Sequence, residues 1–131
     1  MKKFLTITLL FILLAAMLFG CKSSHKYMVV NESKNGQTIK LQTGQFLVVK
    51  LKGNPTTGYI WEQNSECNLL RKTDESQFAT DNKELLGSPG TQSLVFETIS
   101  KGSDKLVLVY HRPWEKDVEP IKRFSITIES E

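Results

Sequence analysis

The 131-residue chain carries 17 lysines and arginines against 14 acidic residues, a formal charge of +3. So small an excess provides no clustered basic footprint for displacing counterions, which excludes nucleic acid as a partner. The length allows one ordinary domain with a modest core, and Cys21 and Cys67 are its only cysteines.

Met1-Lys2-Lys3 opens the chain, and an apolar stretch from Phe4 to Phe19 follows, broken only by Thr6 and Thr8. A basic start, a short apolar middle and a small residue before a cut describe an export signal over residues 1–20. The alternative is a membrane-spanning anchor, for which the run is short, since a span needs roughly 20 apolar residues. Leu18-Phe19-Gly20-Cys21 resembles the lipobox of bacterial lipoproteins, although Phe19 is bulkier than usual there. That resemblance implies cleavage before Cys21 and attachment of lipid to its sulfur and new amino group. Loss of Lys2 and Lys3 would leave a formal charge of +1. With Cys21 acylated, Cys67 has no partner in the chain, so the fold is not held by disulfides. Residues 22–26, KSSHK, then form with Cys21 a short polar tether. A lipid on Cys21 implies a membrane-anchored protein at the cell surface or in the periplasm, and Lys22 after the cysteine permits outer-membrane sorting.

From Tyr27 onward the hydrophobic period is two. Leu47, Val49 and Leu51 alternate with Phe46, Val48 and Lys50. Near the end, Phe124, Ile126 and Ile128 alternate with Arg123, Ser125, Thr127 and Glu129, the pattern of a half-buried strand. Lys105 to Tyr110 is apolar on both faces and predicts a central strand. Further strands are expected at 27–30, 37–41, 59–63 and 93–99. Asn35-Gly36, Thr43-Gly44, Asn54-Pro55, Pro89-Gly90 and Lys101-Gly102-Ser103 supply the turns. No window after the apolar start carries a helical stripe. About seven short strands at this spacing predict an antiparallel β-sandwich over residues 27–131, with a small barrel as the alternative.

Three connections stand out. In Gly53-Asn54-Pro55-Thr56-Thr57-Gly58-Tyr59, Pro55 fixes its own φ, Gly58 can take a positive φ, and the β-branched threonines sample few rotamers. The result is a stiff polar loop, or else a plain bend between strands. Leu85-Leu86-Gly87-Ser88-Pro89-Gly90-Thr91 sets two leucines side by side in a Gly/Pro-rich connection, where they must fold inward or fill a partner's pocket. His111-Arg112-Pro113-Trp114 combines the two residue types enriched at binding hot spots with a proline that limits the loop. Read alone, Trp114 could equally cap the edge of the sandwich.

Taken in order, Asn54-Pro55-Thr56-Thr57-Gly58-Tyr59, Gly87-Ser88-Pro89-Gly90 and Arg112-Pro113-Trp114 resemble the three motifs of the chagasin family of cysteine-peptidase inhibitors. The resemblance covers essentially the whole chain after the export signal, although it lends no weight to His111 or Pro89. It implies an immunoglobulin-like sandwich with the three loops at one end. It also implies tight, reversible, competitive inhibition of papain-like cysteine peptidases, with no cofactor, metal or catalytic residue. In that reading Thr56 and Thr57 would sit over the catalytic cysteine. Leu86, with Leu85 beside it, would enter the S2 pocket, and Trp114 would pack on an aromatic rim. Arg112 would either contact that rim or hold the loop. The protein would act as a monomer.

Two other classes stand beside this one. A surface lipoprotein could use the same sandwich for adhesion or ligand binding, with no inhibitory role. An enzyme could use Cys67 as nucleophile with His25 or His111 as base, although a lone cysteine before Asn68-Leu69-Leu70 reads better as a small buried hydrophobe.

Overall fold

The computed structural model describes residues 26–131; the expected export signal, Cys21 and most of the tether lie outside them. The described residues form nine strands: β1 (Tyr27–Asn31), β2 (Thr38–Leu41), β3 (Phe46–Gly53), β4 (Ile60–Gln63), β5 (Leu70–Lys72), β6 (Gln77–Thr80), β7 (Gly90–Thr98), β8 (Gly102–His111) and β9 (Lys122–Ser130). One sheet has the order β1-β3-β7-β5, with β6 also paired to β7; the other runs β2-β9-β8-β4. Their inner faces pack as a sandwich, as the period-two pattern requires.

The alternation places the core. Leu47, Val49 and Leu51 of β3 have no accessible surface, and Leu94 and Phe96 of β7 continue the same inner face. Leu106 and Leu108 of β8 and Phe124, Ile126 and Ile128 of β9 meet them from the other sheet. Strand β8 lies inside its sheet between β9 and β4, and Leu108, Val109 and Tyr110 are buried in succession. That is what an apolar run on both faces implies.

Two pairings differ from an all-antiparallel sandwich. Strand β1 runs parallel to β3, and β2 parallel to β9. The reason is that the chain changes sheets twice at its start. It runs up β1, down β2 in the other sheet, and up β3 beside β1. Strands β5 and β6 are not evident from the pattern, because each offers one apolar residue at most to the interior: Leu70 is buried and Phe78 half-buried. Their existence depends on backbone pairing to β7 rather than on hydrophobic alternation.

The register fixes two poles. Gly53, at the end of β3, pairs with Gly90 at the start of β7, while Ile60 of β4 pairs with His111 at the end of β8. Connections 54–59, 81–89 and 112–121 therefore all leave the same pole. The far pole carries the turns 42–45 and 99–101, connection 64–69 and the first residue of β1.

Candidate functional site

The first connection is built around Asn54. Its side-chain oxygen accepts from the Thr56 amide at 3.2 Å and from the Thr56 hydroxyl at 2.6 Å, capping a single 3-10 turn over Pro55–Thr57. Proline at the first turn loses no hydrogen bond there, because that amide would be unpaired anyway. The Thr57 hydroxyl donates to the Asn54 carbonyl at 2.6 Å. Gly58 ends the turn at φ +83°, a left-handed conformation that costs a residue with a Cβ. The base is anchored too: the Asn54 amide donates to the Tyr110 hydroxyl at 2.8 Å.

Asn54 also reaches the second connection, its Nδ2 donating to the Gly87 carbonyl at 3.0 Å. Gly87 has φ +77°, and its place in the turn brings that carbonyl toward Asn54. Ser88 is buried, and its hydroxyl accepts from the Asn82 amide at 3.2 Å. The Asp81 amide donates to the Pro89 carbonyl at 2.9 Å, which closes the loop at its neck. Gly90 allows this neck to be narrow, since a Cβ there would stand 2.1 Å from the Ala79 carbonyl oxygen of β6. Leu85 and Leu86 do not fold inward. Both project into solvent, Leu86 completely.

The third connection closes over the first. Arg112 Nε donates to the Thr57 carbonyl at 3.0 Å, Nη1 pairs with Glu115 at 3.1 Å, and the guanidinium lies 4.5 Å from the centre of the Tyr59 ring. Arg112 thus holds the first loop. Trp114 lies against Gly58, where an added Cβ would stand only 2.2 Å from the indole ring, yet 65% of its surface is open. Pro113, between them, is exposed. The Tyr59 ring meets that of Tyr110 at 5.4 Å in a tilted arrangement, which joins the motif to the core.

Asn54, Pro55, Thr56, Thr57, Gly58, Tyr59, Leu85, Leu86, Gly87, Gly90, Arg112, Pro113 and Trp114 therefore gather at one pole. Three supporting residues have no motif to reveal them. Tyr110 supplies the hydroxyl under Asn54. Gln92 accepts from the Trp61 amide and donates to the Trp61 carbonyl, each at 2.8 Å, so one side chain pins β7 to β4 across the two sheets. Trp61 in turn donates its indole N–H to the Lys52 carbonyl at 2.8 Å. Only the aromatic residues ending β8 and opening β4 hint at this brace in the sequence.

The family model described as Chagasin family peptidase inhibitor I42 matches residues 40–128. The chain belongs to that family. Chagasin of Trypanosoma cruzi is 30% identical over 113 residues, covering 82% of this chain and 98% of that protein. Amoebiasin-1 of Entamoeba histolytica is 36% identical over 87 residues, or 66% of this chain and 84% of that one. The crystal structure of a cysteine protease inhibitor from Entamoeba histolytica shares the fold, with a TM-score of 0.70 at 19% identity over 81% of this chain and 96% of its own. The chagasin family consists of peptidase inhibitors rather than enzymes.

Cys67 has the chemistry of a core residue. It lies buried at the far pole, in the connection before β5. Burial pushes its thiol above the usual range, and the Asp104 carboxylate adds to this, against opposing bonds from the Leu69 and Leu70 amides. A nucleophilic cysteine needs the reverse shift. His111 is engaged elsewhere, with Nε2 2.8 Å from Glu62 Oε2 beside the loop pole. Among the described residues no group of three or more His, Cys, Asp or Glu is placed to hold a metal ion.

Proposed function

We propose that this chain is a tight, reversible, competitive inhibitor of papain-like cysteine peptidases that occludes the active-site cleft with its three interlocked loops. The observation that carries the reading is the bonding between loops: Asn54 ties the first to the second, and Arg112 ties the third to the first. Leu86 and Trp114 stand exposed on either side. Large apolar side chains held in water by a stiff frame lose little entropy on docking, which favours affinity. Three loops of this size suit a standard interface of roughly 1,600 Å².

The first loop would occupy the centre of the cleft, over the catalytic thiolate and imidazolium. Both threonine hydroxyl protons are directed to Asn54, so the two oxygens turn lone pairs outward. Acceptors suit an imidazolium donor. Leu86 would fill the hydrophobic S2 pocket with Leu85 at its edge, and Trp114 would pack against an aromatic rim on the opposite side.

Resistance to cleavage follows from backbone geometry. Hydrolysis needs an extended segment with a free carbonyl at attacking distance. Pro55–Thr57 is coiled into a 3-10 turn, and the Thr57 carbonyl is already engaged by Arg112. Cutting would require the turn to unwind and that bond to break.

The lipobox-like Leu18-Phe19-Gly20-Cys21 supports an exported protein anchored by lipid on Cys21, after loss of residues 1–20 and with 21–26 as tether. The anchored protein would be a monomer carrying one inhibitory domain, at the cell surface or in the periplasm. Titration of papain with the purified chain tests the inhibitory reading. Stoichiometric, reversible inhibition with sub-micromolar affinity that weakens as substrate rises is expected; no inhibition at micromolar protein would overturn it.

A further inference from the structure

The geometry points to a membrane-facing surface at the far-pole end of the outer β1–β3 face, where an exposed patch centred on Tyr27 and Val29 rests against lipid and keeps the three loops off the bilayer. This rests on the anchoring reading given above. Strand β1 is parallel to β3, and β3 leads directly to the first loop, so Tyr27 marks the end of the sandwich farthest from Thr57. The chain preceding Lys26 must approach at that end.

Lengths then limit how the domain can stand. Six residue steps separate Cys21 from Tyr27, a reach of about 20 Å even when fully extended. Strand β3 alone has eight residues, roughly 25 Å along its axis, and the loops project beyond it. With Cys21 held at a bilayer, an inverted domain with its loops on the lipid is out of reach.

The outer face at that end of the sheet fits the same environment. Tyr27 and Val29 are more than half exposed on the outer face of the edge strand. Tyr27 stacks on Phe46 at 5.3 Å, and Val48 continues the half-buried apolar surface beside Val29. Lys26 and Lys50 border it, both exposed. The neighbouring carboxylate of Glu97 is neutralised by its ion pair with Arg71. An aromatic residue beside aliphatic ones, rimmed by lysines, is the composition that settles at the headgroup level of a bilayer with anionic lipid. The occupant of this patch is therefore the lipid surface that holds Cys21, and the peptidase must come from the aqueous side.

Tryptophan fluorescence tests this. Trp61 and Trp114 are the only tryptophans, and both belong to the loop pole. The full chain is isolated from bacterial membranes and placed in phosphatidylglycerol–phosphatidylcholine vesicles, with or without bromine on the acyl chains. The parent emission should be equal in both, whereas a Tyr27→Trp variant should lose its added emission in brominated vesicles. Quenching of the parent, or no quenching of the added tryptophan, overturns the orientation. The mass of the Cys21 peptide separates this from the anchoring reading: an unmodified Cys21 overturns both, and an acylated one leaves the fluorescence to decide. Papain inhibition by detergent-solubilised protein is independent of either result.

Discussion

The two poles of the sandwich are built from the same strands and differ in where their polar side chains go. At the far pole, the connections are joined mainly by backbone: the Gly44 amide donates to the Thr98 carbonyl and the Ile99 amide to the Leu69 carbonyl, with the Ser100 hydroxyl on the Asn68 carbonyl. The buried Gln45 accepts from the Gln42 amide within its own turn. At the loop pole, polar groups run between connections distant in sequence, from Asn54 to Gly87 and from Arg112 to Thr57. Backbone bonds between connections fix the strand ends beside them. Side chains reaching from one loop to the next secure the relative position of three tips, which a surface recognising one cleft needs.

Substitutions can break that contrast, and the largest effect is expected at Trp114. Trp114→Ala removes an anchor that is mostly exposed in the free protein, so it should cost about 2 kcal/mol of binding, roughly thirtyfold in papain affinity. Its folding stability should change by no more than about 0.5 kcal/mol. Gly58→Ala comes next. A residue with a Cβ at φ +83° costs roughly 1–2 kcal/mol of stability, and that Cβ also displaces the indole, so thermal melts and papain affinity should fall together. Asn54→Ala should lose about 1 kcal/mol of stability as a lost cap. Because the same residue ties two loops, amide exchange should speed up around residue 87 as well as residues 56–58.

Ile99→Ser sharpens the comparison from the other side. Ile99 is exposed in the turn at the far pole, so inhibition should be unchanged and stability altered by about 0.5 kcal/mol or less. A final, smaller contrast concerns titration. The Asn68 and Lys105 amides hold the Asp104 carboxyl below its usual range. Its contribution to stability is thus present above the ordinary carboxylate pKa and is lost as pH falls through the depressed value. The raised Cys67 thiol works in the opposite sense, its contribution being complete below the ordinary thiol pKa and lost as pH climbs through the raised one. At neutral pH the folded protein should therefore react with iodoacetamide far more slowly than the urea-unfolded chain, as mass spectrometry would record.

The central strands were legible because their burial is nearly complete on one face. Leu47, Val49 and Leu51, or Phe124, Ile126 and Ile128, could not be shifted by one residue without turning a whole apolar set to water. Strands β5 and β6 carry no such penalty, and so no such signal. The loops were legible for a different reason: proline at the first position of a turn, and glycine where φ must be positive, are chemical requirements visible one residue at a time.

The sequence alone therefore determined the central strands and the stiffness of each motif, because alternation and turn chemistry are local properties, while the candidate residues came from the resemblance of the three motifs to the chagasin family. Tertiary structure decided that β1 and β2 pair in parallel, that Leu85 and Leu86 face solvent, and that Arg112 holds the first loop. It also decided that Tyr110, Gln92 and Trp61 brace the site. Each of these depends on which segments meet across tens of residues, and a hydrogen bond between distant segments leaves no periodicity in either of them.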